Sequence, residues 1–170
     1  MHALYSGTIQ TAATSFAAAL TVLHNHPTPF LRISTLQGLG LGLGLLGDTE
    51  QAIARNEEAL ALSTDLGESV YRSRSFWELG LQVWQLGNRD RATGLLGQGL
   101  RMARVVDDPL SAAWCLEALA WIAAKTDRAE QAAQLMGAAE GLWESVGSTP
   151  FTFPASTFIT TNVHARRITR

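Results

Sequence analysis

Apolar and polar residues recur along this chain with the spacing of amphipathic helices. In the clearest segment, apolar residues return at intervals of three and four positions between Ala92 and Val106, which places them on one face of a helix of about five turns. The pattern is interrupted at Arg55 and Asn56 in an otherwise similar segment. The segments that share this spacing are 12–23, 52–66, 92–106 and 132–146. We therefore predict a helix in each of them.

Glycines show that these helices belong to a repeat of 40 residues. Gly7, Gly47 and Gly87 are 40 residues apart, and the next step falls on Thr126–Asp127. Five residues after each of these points comes an alanine, at Ala12, Ala52, Ala92 and Ala132. Self-similarity at a fixed period of this size is typical of helical-repeat proteins. The sequence predicts a turn at each of the four points.

A further helix is predicted before each later turn. Segments 35–46, 75–86 and 115–125 are apolar on nearly every side, as expected for helices enclosed by neighbours. Asp108 and Pro109 are a typical helix start, and Gly67 a typical helix end. Small residues recur at one repeat position, Gly40, Gly80 and Ala120. We expect two helices to approach closely there.

The predicted fold is all-α: a tetratricopeptide-like α-solenoid of about three and a half helix–turn–helix repeats, occupying residues 1–147. Residues 148–170 contain no acid and three arginines, which favours a basic tail or linker, without helix before about residue 157. Only six residues precede the first predicted turn, so the first unit has its second helix alone. An apolar helix face is then left open, to be covered by another copy of the chain or by a further part of a longer protein.

Composition narrows the function classes. Hydrophobic residues make up 46% and charged residues 16% of the chain, which excludes a disordered polar segment. The net charge of −2 and the pI near 6.1 provide no general attraction to nucleic acid or to an anionic membrane. No apolar run reaches the length of a membrane span, and no Lys or Arg precedes the apolar stretch 11–23 as in a signal peptide. We expect a cytoplasmic protein that binds neither nucleic acid nor membrane.

The motifs that could indicate catalysis or cofactor binding are explained better by structural roles. The glycines of the G-x-G-x-x-G sequence at 42–47 fall inside a predicted helix, whereas a dinucleotide site needs a strand before them. His24 and His26 do not share a helix face and lack neighbouring ligands, which favours a solvated helix end. The acidic pairs 57–58 and 107–108 have no partner across a cleft, and Cys115 lies on a buried type of helix. We expect no catalytic residue, no metal and no cofactor.

Four tryptophans form the best candidate binding site. Trp77 and Trp84 are seven residues apart on one predicted first helix, and Trp114 and Trp121 on the next. In the tetratricopeptide arrangement such positions line the concave face, where aromatic rings and charges suit a helix, peptide or small amphipathic ligand. The alternative is that these rings form contacts between repeats. The candidate residues are Arg74, Trp77, Trp84, Gln85, Trp114, Glu117, Trp121 and Lys125.

Three blocks of sequence resemble a known family. They are 72–92 with its Trp77–Leu81 segment, 100–110 with Asp107–Leu110, and 115–147 with Cys115–Trp121 and Leu135–Glu140. Over about residues 31–147 the chain resembles the helical-repeat segment of large actinobacterial LuxR-type, MalT-like transcriptional regulators. The resemblance implies a segment that receives an inducer or partner. Those regulators also carry an ATPase module and a helix-turn-helix, and this chain has neither a phosphate-loop motif nor a basic DNA-reading segment.

The sequence therefore predicts a non-catalytic interaction or ligand-sensing module of a LuxR-type regulator. Its partner would be a protein or a small inducer on the tryptophan-bearing face. The alternative is a self-associating structural or adaptor protein that forms a homodimer through its open N-terminal repeat.

Overall fold

The computed structural model describes residues 2–24 and 26–148, with side chains from residue 7 onward, and this part of the chain is helical throughout. Short turns connect the helices and no strand occurs within the described residues. The helices are α1 (His2–Leu23), α2 (Pro29–Leu46), α3 (Thr49–Asp65), α4 (Val70–Gln85), α5 (Arg89–Val105), α6 (Pro109–Ala124) and α7 (Ala129–Ser145).

The starts of α3, α5 and α6 are fixed by side chains that cap free backbone N–H groups. Asp48 accepts from the backbone of Gln51 and Asn88 from that of Arg91. One carboxylate oxygen of Asp108 accepts two backbone hydrogen bonds, each 3.1 Å long, at the start of α6. Such caps satisfy donors that have no partner inside the helix. They explain why a new helix begins directly after each of these three residues.

The helices stack as successive antiparallel pairs. α2 packs on α3, α4 on α5 and α6 on α7, and each pair then packs on the next through α3–α4 and α5–α6 contacts. α1 packs on α2 and takes the place of a second helix without its own first helix. The first helices also touch one another, α2 with α4 and α4 with α6, so they form one continuous layer. The predicted all-α solenoid of three and a half units is confirmed.

Glycines allow first and second helices to approach closely. A Cβ atom built on Gly40 would lie 2.6 Å from Asn56 Nδ2, and one built on Gly80 would lie 2.7 Å from Leu96 Cγ. Both distances are too short for a real contact, so the small residue at this repeat position is required by the side chain opposite. The predicted close approach is confirmed at these two units.

The main hydrophobic core lies in the α4–α7 half of the chain. It contains Trp77, Leu96, Cys115 and Trp143, all buried. A smaller cluster around Ile33, in the α2–α3 half, is separate from it. Between the α2–α3 pair and α4 lie buried polar side chains as well as apolar ones.

Two details of the sequence prediction are wrong. α1 runs through Gly7 without a turn, whereas Gly47 and Gly87 have positive φ angles and end their helices as predicted. The helix continues through Gly7 because a glycine inside a helix costs only about 1 kcal/mol relative to alanine. α2 and α4 also begin six and five residues before their apolar runs, α2 at Pro29 and α4 where the Glu68 carboxylate caps the first backbone N–H groups. α6 begins at Pro109 as predicted. The predicted tail at 148–170 lies, from residue 149, outside the described residues.

Within the described residues, no helix combines the length and the apolar character needed to cross a membrane.

Candidate functional site

Tryptophans join neighbouring units of the array. Trp77 of α4 and Trp114 of α6 stack with their ring centroids 4.8 Å apart and their planes at 20°. Trp143 of α7 meets Trp114 edge-on at 6.3 Å. Trp77 is 3% and Trp114 8% exposed. These rings therefore form contacts between repeats, which was the alternative to a binding role that the sequence left open.

Arg74 lies at the open edge of this stack. Its guanidinium is 5.8 Å from the centre of the Trp114 ring, within the range of a cation–π interaction. Its Nε donates a 3.1 Å hydrogen bond to Glu78 Oε1, one turn along α4. The Arg74 side chain is 39% exposed, whereas that of Glu78 is completely buried. Arg74 thus connects a buried carboxylate to the surface of the first-helix layer.

Glu78 belongs to a buried polar junction between α2, α3 and α4. Asn56 Nδ2 donates to Gln82 Oε1 at 3.2 Å, and Gln82 Nε2 donates to the carbonyl of Gly40 at 3.3 Å. Gln37 Nε2 donates across to α4, to the carbonyl of Tyr71 at 2.7 Å. We call Gln37, Asn56, Glu78 and Gln82 the polar junction. It binds the α2–α3 pair to α4 by hydrogen bonds, in addition to the apolar contacts that Tyr71 of α4 and Ile53 of α3 make with the two clusters.

Burial changes the ionisation of Glu78. Desolvation raises its pKa from 4.5 to about 7, against the lowering effects of the Arg74 charge and of hydrogen bonds from Arg74 and Asn56. Glu78 Oε2 and Asn56 Oδ1 are both buried acceptors without a hydrogen-bond donor among the described residues. Because a protonated carboxyl can donate, the neutral form of Glu78 offers a donor where two acceptors lack one.

Glu117 is a second buried acid, on α6. Desolvation raises its pKa from 4.5 to about 7, and a hydrogen bond from Trp143 opposes the shift. In the repeat register Glu117 takes the position of Trp77 in the preceding unit and of Gln37 in the one before that. The sequence predicted Glu117 as a surface charge beside the tryptophans, but the side chain is 2% exposed. It contributes to the interior of the α6–α7 pair.

The remaining predicted residues lie nearer to solvent. Trp84 and Trp121 are half-buried and pack against the main core. Gln85 is half-buried and accepts a 3.5 Å hydrogen bond from Thr49, and Lys125 at the end of α6 is exposed. We call the surface made by Arg74, Trp84, Gln85, Trp121 and Lys125 the α4–α6 face. Ligand binding by this face stays a prediction.

Sequence reasoning missed the polar junction, although the repeat register contained the signal. Asn56 occupies the position of Leu96 in the next unit. Glu78 and Gln82 likewise occupy the positions of Ala118 and Ile122. Four residues are thus polar at positions that are aromatic or apolar in a neighbouring unit. This comparison would have indicated that one junction is held by polar side chains and the next by apolar ones. The helical pattern alone indicates that Asn56 interrupts an apolar face.

The motifs with weak chemical signals have structural roles. The glycines at 42 and 44 lie within α2, and Gly47 ends it with a φ of 89°. Burial raises the pKa of the Cys115 thiol to about 12, which keeps it protonated and unreactive at neutral pH.

The acidic pair 57–58 forms ion pairs, and the two histidines are exposed. Glu57 pairs with Arg91 at 3.0 Å and Glu58 with Arg32 at 2.6 Å. His24 and His26 are exposed at the end of α1. The described part of the chain contains no group of three residues able to hold a metal ion.

Comparison with known proteins supports the fold. No family model matches the chain, and no curated protein does. Among solved structures, the chain is similar to one described as the crystal structure of BtubC (BKLC) from P. vanneervenii, with a TM-score of 0.70 and 18% sequence identity. The match covers 84% of this chain and 58% of that one, so the chain spans little more than half of its structural neighbour. Similarity at this identity concerns the helical fold alone.

Proposed function

We propose that this chain is a non-catalytic helical-repeat module that binds a partner segment or a small inducer along the α4–α6 face. The observation that carries the proposal is the arrangement on that face. Half-buried Trp84 and Trp121 are accompanied by Arg74 and Lys125, two cations toward opposite ends of the first helices. Partly exposed indoles with nearby charges are the residues that most often dominate protein–protein affinity.

The stacked tryptophans support this role by holding the face rigid. Trp77 and Trp114 fix α4 against α6, so the exposed residues on the two helices keep a constant spacing. A preorganised surface loses less conformational entropy when it binds. The buried rings are therefore positioning residues, and the half-buried ones are the contact residues.

The regulatory context is a further part of the proposal. We propose that the module serves as the sensory part of a LuxR-type transcriptional regulator. This assignment is supported by the residue blocks at 72–92, 100–110 and 115–147 and by their resemblance to that family. Binding on the first-helix layer would change the packing between units and so transmit the signal.

A site-specific photo-crosslinker tests the partner-binding role. The crosslinking amino acid is placed at Trp121 on the α4–α6 face or at Val105, which is 74% exposed on α5, and the protein is irradiated in its native host. We expect a discrete adduct from position 121 and none from position 105. The partner identified in this way should bind the purified chain at least about tenfold more weakly after Trp121→Ala. Equal adducts from both positions, or unchanged affinity of the variant, would reject the proposal.

Self-association through α1 is a second candidate function, and the repeat register supports it. The positions of Ala52 and Asn56 on α3 are completely buried. At the matching positions of α1, Ala12 is exposed and Phe16 is 36% exposed. The described side chains of α1, from residue 7 to residue 23, include no acid or base, so two copies can pair there without charge repulsion.

Sedimentation equilibrium tests this second candidate. It expects the wild type to dimerise at micromolar concentration and Ala12→Glu to be monomeric, because the substitution places a charge on the open face. Val105→Glu makes a similar change on α5 and should leave the dimer intact. A wild-type chain that is monomeric throughout would exclude self-association.

A further inference from the structure

Arg74 is held in a geometry that leaves its terminal nitrogens available. Its Nε is used by Glu78, and no described residue accepts a hydrogen bond from its two Nη groups. The guanidinium is kept near the Trp114 ring and the side chain is 39% exposed. A planar fork of free N–H donors, fixed from behind by a carboxylate, suits bidentate binding of an oxyanion.

The buried carboxylate behind Arg74 affects the charge that an arriving anion meets. When Glu78 is ionised, it offsets the Arg74 charge and repels a second anion through a poorly solvated interior. When Glu78 is protonated, Arg74 presents its full charge to the ligand. Among the described residues, the charged group that acts on Glu78 is Arg74 of the same helix, while α3 contributes the neutral Asn56 amide. From α2, the junction contains the neutral Gln37 and the Gly40 carbonyl. The buried residues of α5, which packs on α4, include no titratable side chain, and the buried acid of α6 is Glu117.

The polar junction can accommodate the proton. Glu78 Oε2 and Asn56 Oδ1 are two buried acceptors that lack a donor, and the Asn56 side chain is already close enough to Glu78 to hydrogen bond with it. A proton on Glu78 turns one of these acceptors into a donor. The burial of both atoms therefore favours the neutral carboxyl once Arg74 has another anionic partner.

We infer that Arg74 is an oxyanion-binding residue of the α4–α6 face, and that Glu78 takes up a proton as the anion binds. The ligand is a carboxylate or a phosphate group, contacted by the Arg74 Nη groups. This inference deepens the proposed function, on which it rests, by naming the chemistry that the face recognises. By linkage, the anion binds more tightly at lower pH, and binding raises the proton affinity of Glu78.

NMR titration of the full chain tests the inference. The Arg74 Nε–H signal, assigned with the Arg74→Gln variant, is followed during addition of acetate or of sulfate, whose charges are constant between about pH 6 and about pH 8. Total ionic strength is held fixed with chloride. We expect the shift to saturate, and we expect the anion concentration at half-saturation to be at least about fivefold lower at the lower pH. Stronger binding of acetate indicates a carboxylate ligand and stronger binding of sulfate a phosphate ligand.

Variants separate Arg74 binding from a purely structural effect. Glu78→Gln mimics the neutral carboxyl, so it should bind the anion at both pH values as tightly as the wild type does at the lower one. Adding Arg74→Gln to that variant should abolish saturable binding, and neither protein leaves an unpaired buried charge. Arg101→Gln, on the exposed side of α5, should change nothing. Binding that survives loss of Arg74, or that weakens in Glu78→Gln, would overturn the inference.

The titration is independent of any macromolecular partner. An Arg74 shift without a specific crosslink from Trp121 would keep the oxyanion site and reject the partner-binding role. A crosslinked partner without an Arg74 shift would keep the partner-binding role and reject the oxyanion site.

Discussion

Trp77 and Trp114 stack face to face across the junction of α4 and α6, with 4.8 Å between ring centroids. The two residues are 37 positions apart, so the pair connects adjacent repeats and not the two helices of one repeat. Each unit of a solenoid contacts only its neighbours, and its stability depends strongly on such interfaces. The pair therefore sets both the stability of the α4–α6 junction and the spacing of the face above it.

Removal of one stacked ring should destabilise the protein severely. We expect Trp114→Ala to lower the free energy of unfolding by about 3–5 kcal/mol, because it opens a cavity against Trp77 and Trp143. Leu86→Ala is a control, since Leu86 is 56% exposed and its loss should cost less than about 0.5 kcal/mol. Urea unfolding followed by circular dichroism measures both. Similar losses for the two variants would contradict a structural role for the stack.

Two glycines of similar helical context should respond in opposite directions to alanine. Gly80→Ala places a Cβ 2.7 Å from Leu96 Cγ in a filled interior, and should destabilise by about 1–3 kcal/mol. Gly94→Ala, in α5, meets nothing within 4 Å and should stabilise by up to about 1 kcal/mol through helix propensity. Thermal unfolding of both variants checks the signs. A stabilising Gly80→Ala would show that the α4–α5 pair is looser than the structure has it.

The buried acids make stability depend on pH in an unusual direction. The folded-state pKa of Glu78 is raised from 4.5 to about 7, so the folded protein binds this proton more tightly than the unfolded chain. The resulting stabilisation is complete below about pH 4.5 and is lost as the pH rises to about 7. Glu117 contributes in the same direction.

The Glu78→Gln variant isolates this effect from other titrating groups. The free energy of unfolding of the variant, minus that of the wild type, should increase by about 3 kcal/mol between pH 4.5 and pH 7, because the variant no longer buries a charge. Denaturant unfolding at several pH values gives this difference directly. Glu68→Gln, at a carboxylate that accepts backbone hydrogen bonds at the start of α4, should not reproduce the increase. A constant difference between Glu78→Gln and the wild type would mean that the pKa of Glu78 is the same in the folded and the unfolded chain.

The turn between α5 and α6 offers a stabilising substitution. Asp107 has a φ of 52°, whereas Gly67 and Gly147 fill the corresponding positions after α3 and α7, each with a φ of 67°. Because a left-handed residue with a Cβ is strained, Asp107→Gly should stabilise the protein by up to about 1 kcal/mol. Gly67→Ala should destabilise it by a similar amount. Thermal melts in one buffer compare the pair, and a destabilising Asp107→Gly would indicate a specific role for the aspartate.

Sequence periodicity predicted the helices well because each unit buries residues at the same repeat positions. Gly47 and Gly87 mark one point of successive units and Ala52 and Ala92 another, and the structure keeps their roles, the glycines as helix ends and the alanines as buried residues. Gly7 is the exception, because a helix can continue through a glycine at a cost of about 1 kcal/mol. Trp77 and Trp114 were correctly placed on adjacent first helices, but periodicity does not tell whether rings on one face point to solvent or stack on each other.

The ionisation of the polar junction could not be predicted from local sequence. Asn56 and Glu78 come from different helices, and their burial depends on how the α2–α3 pair meets α4. The unpaired acceptors and the Arg74 contact arise from that tertiary packing. Only a comparison of Asn56 with Leu96 in register indicated that this junction differs.

The most direct test of the account is hydrogen–deuterium exchange of the chain, free and bound to the partner identified by crosslinking. Binding on the α4–α6 face predicts added protection in α4 and α6, with α5 and α1 unchanged. Protection confined to α1, or to the outer helices α5 and α7, would contradict the assignment of the first-helix layer as the binding surface.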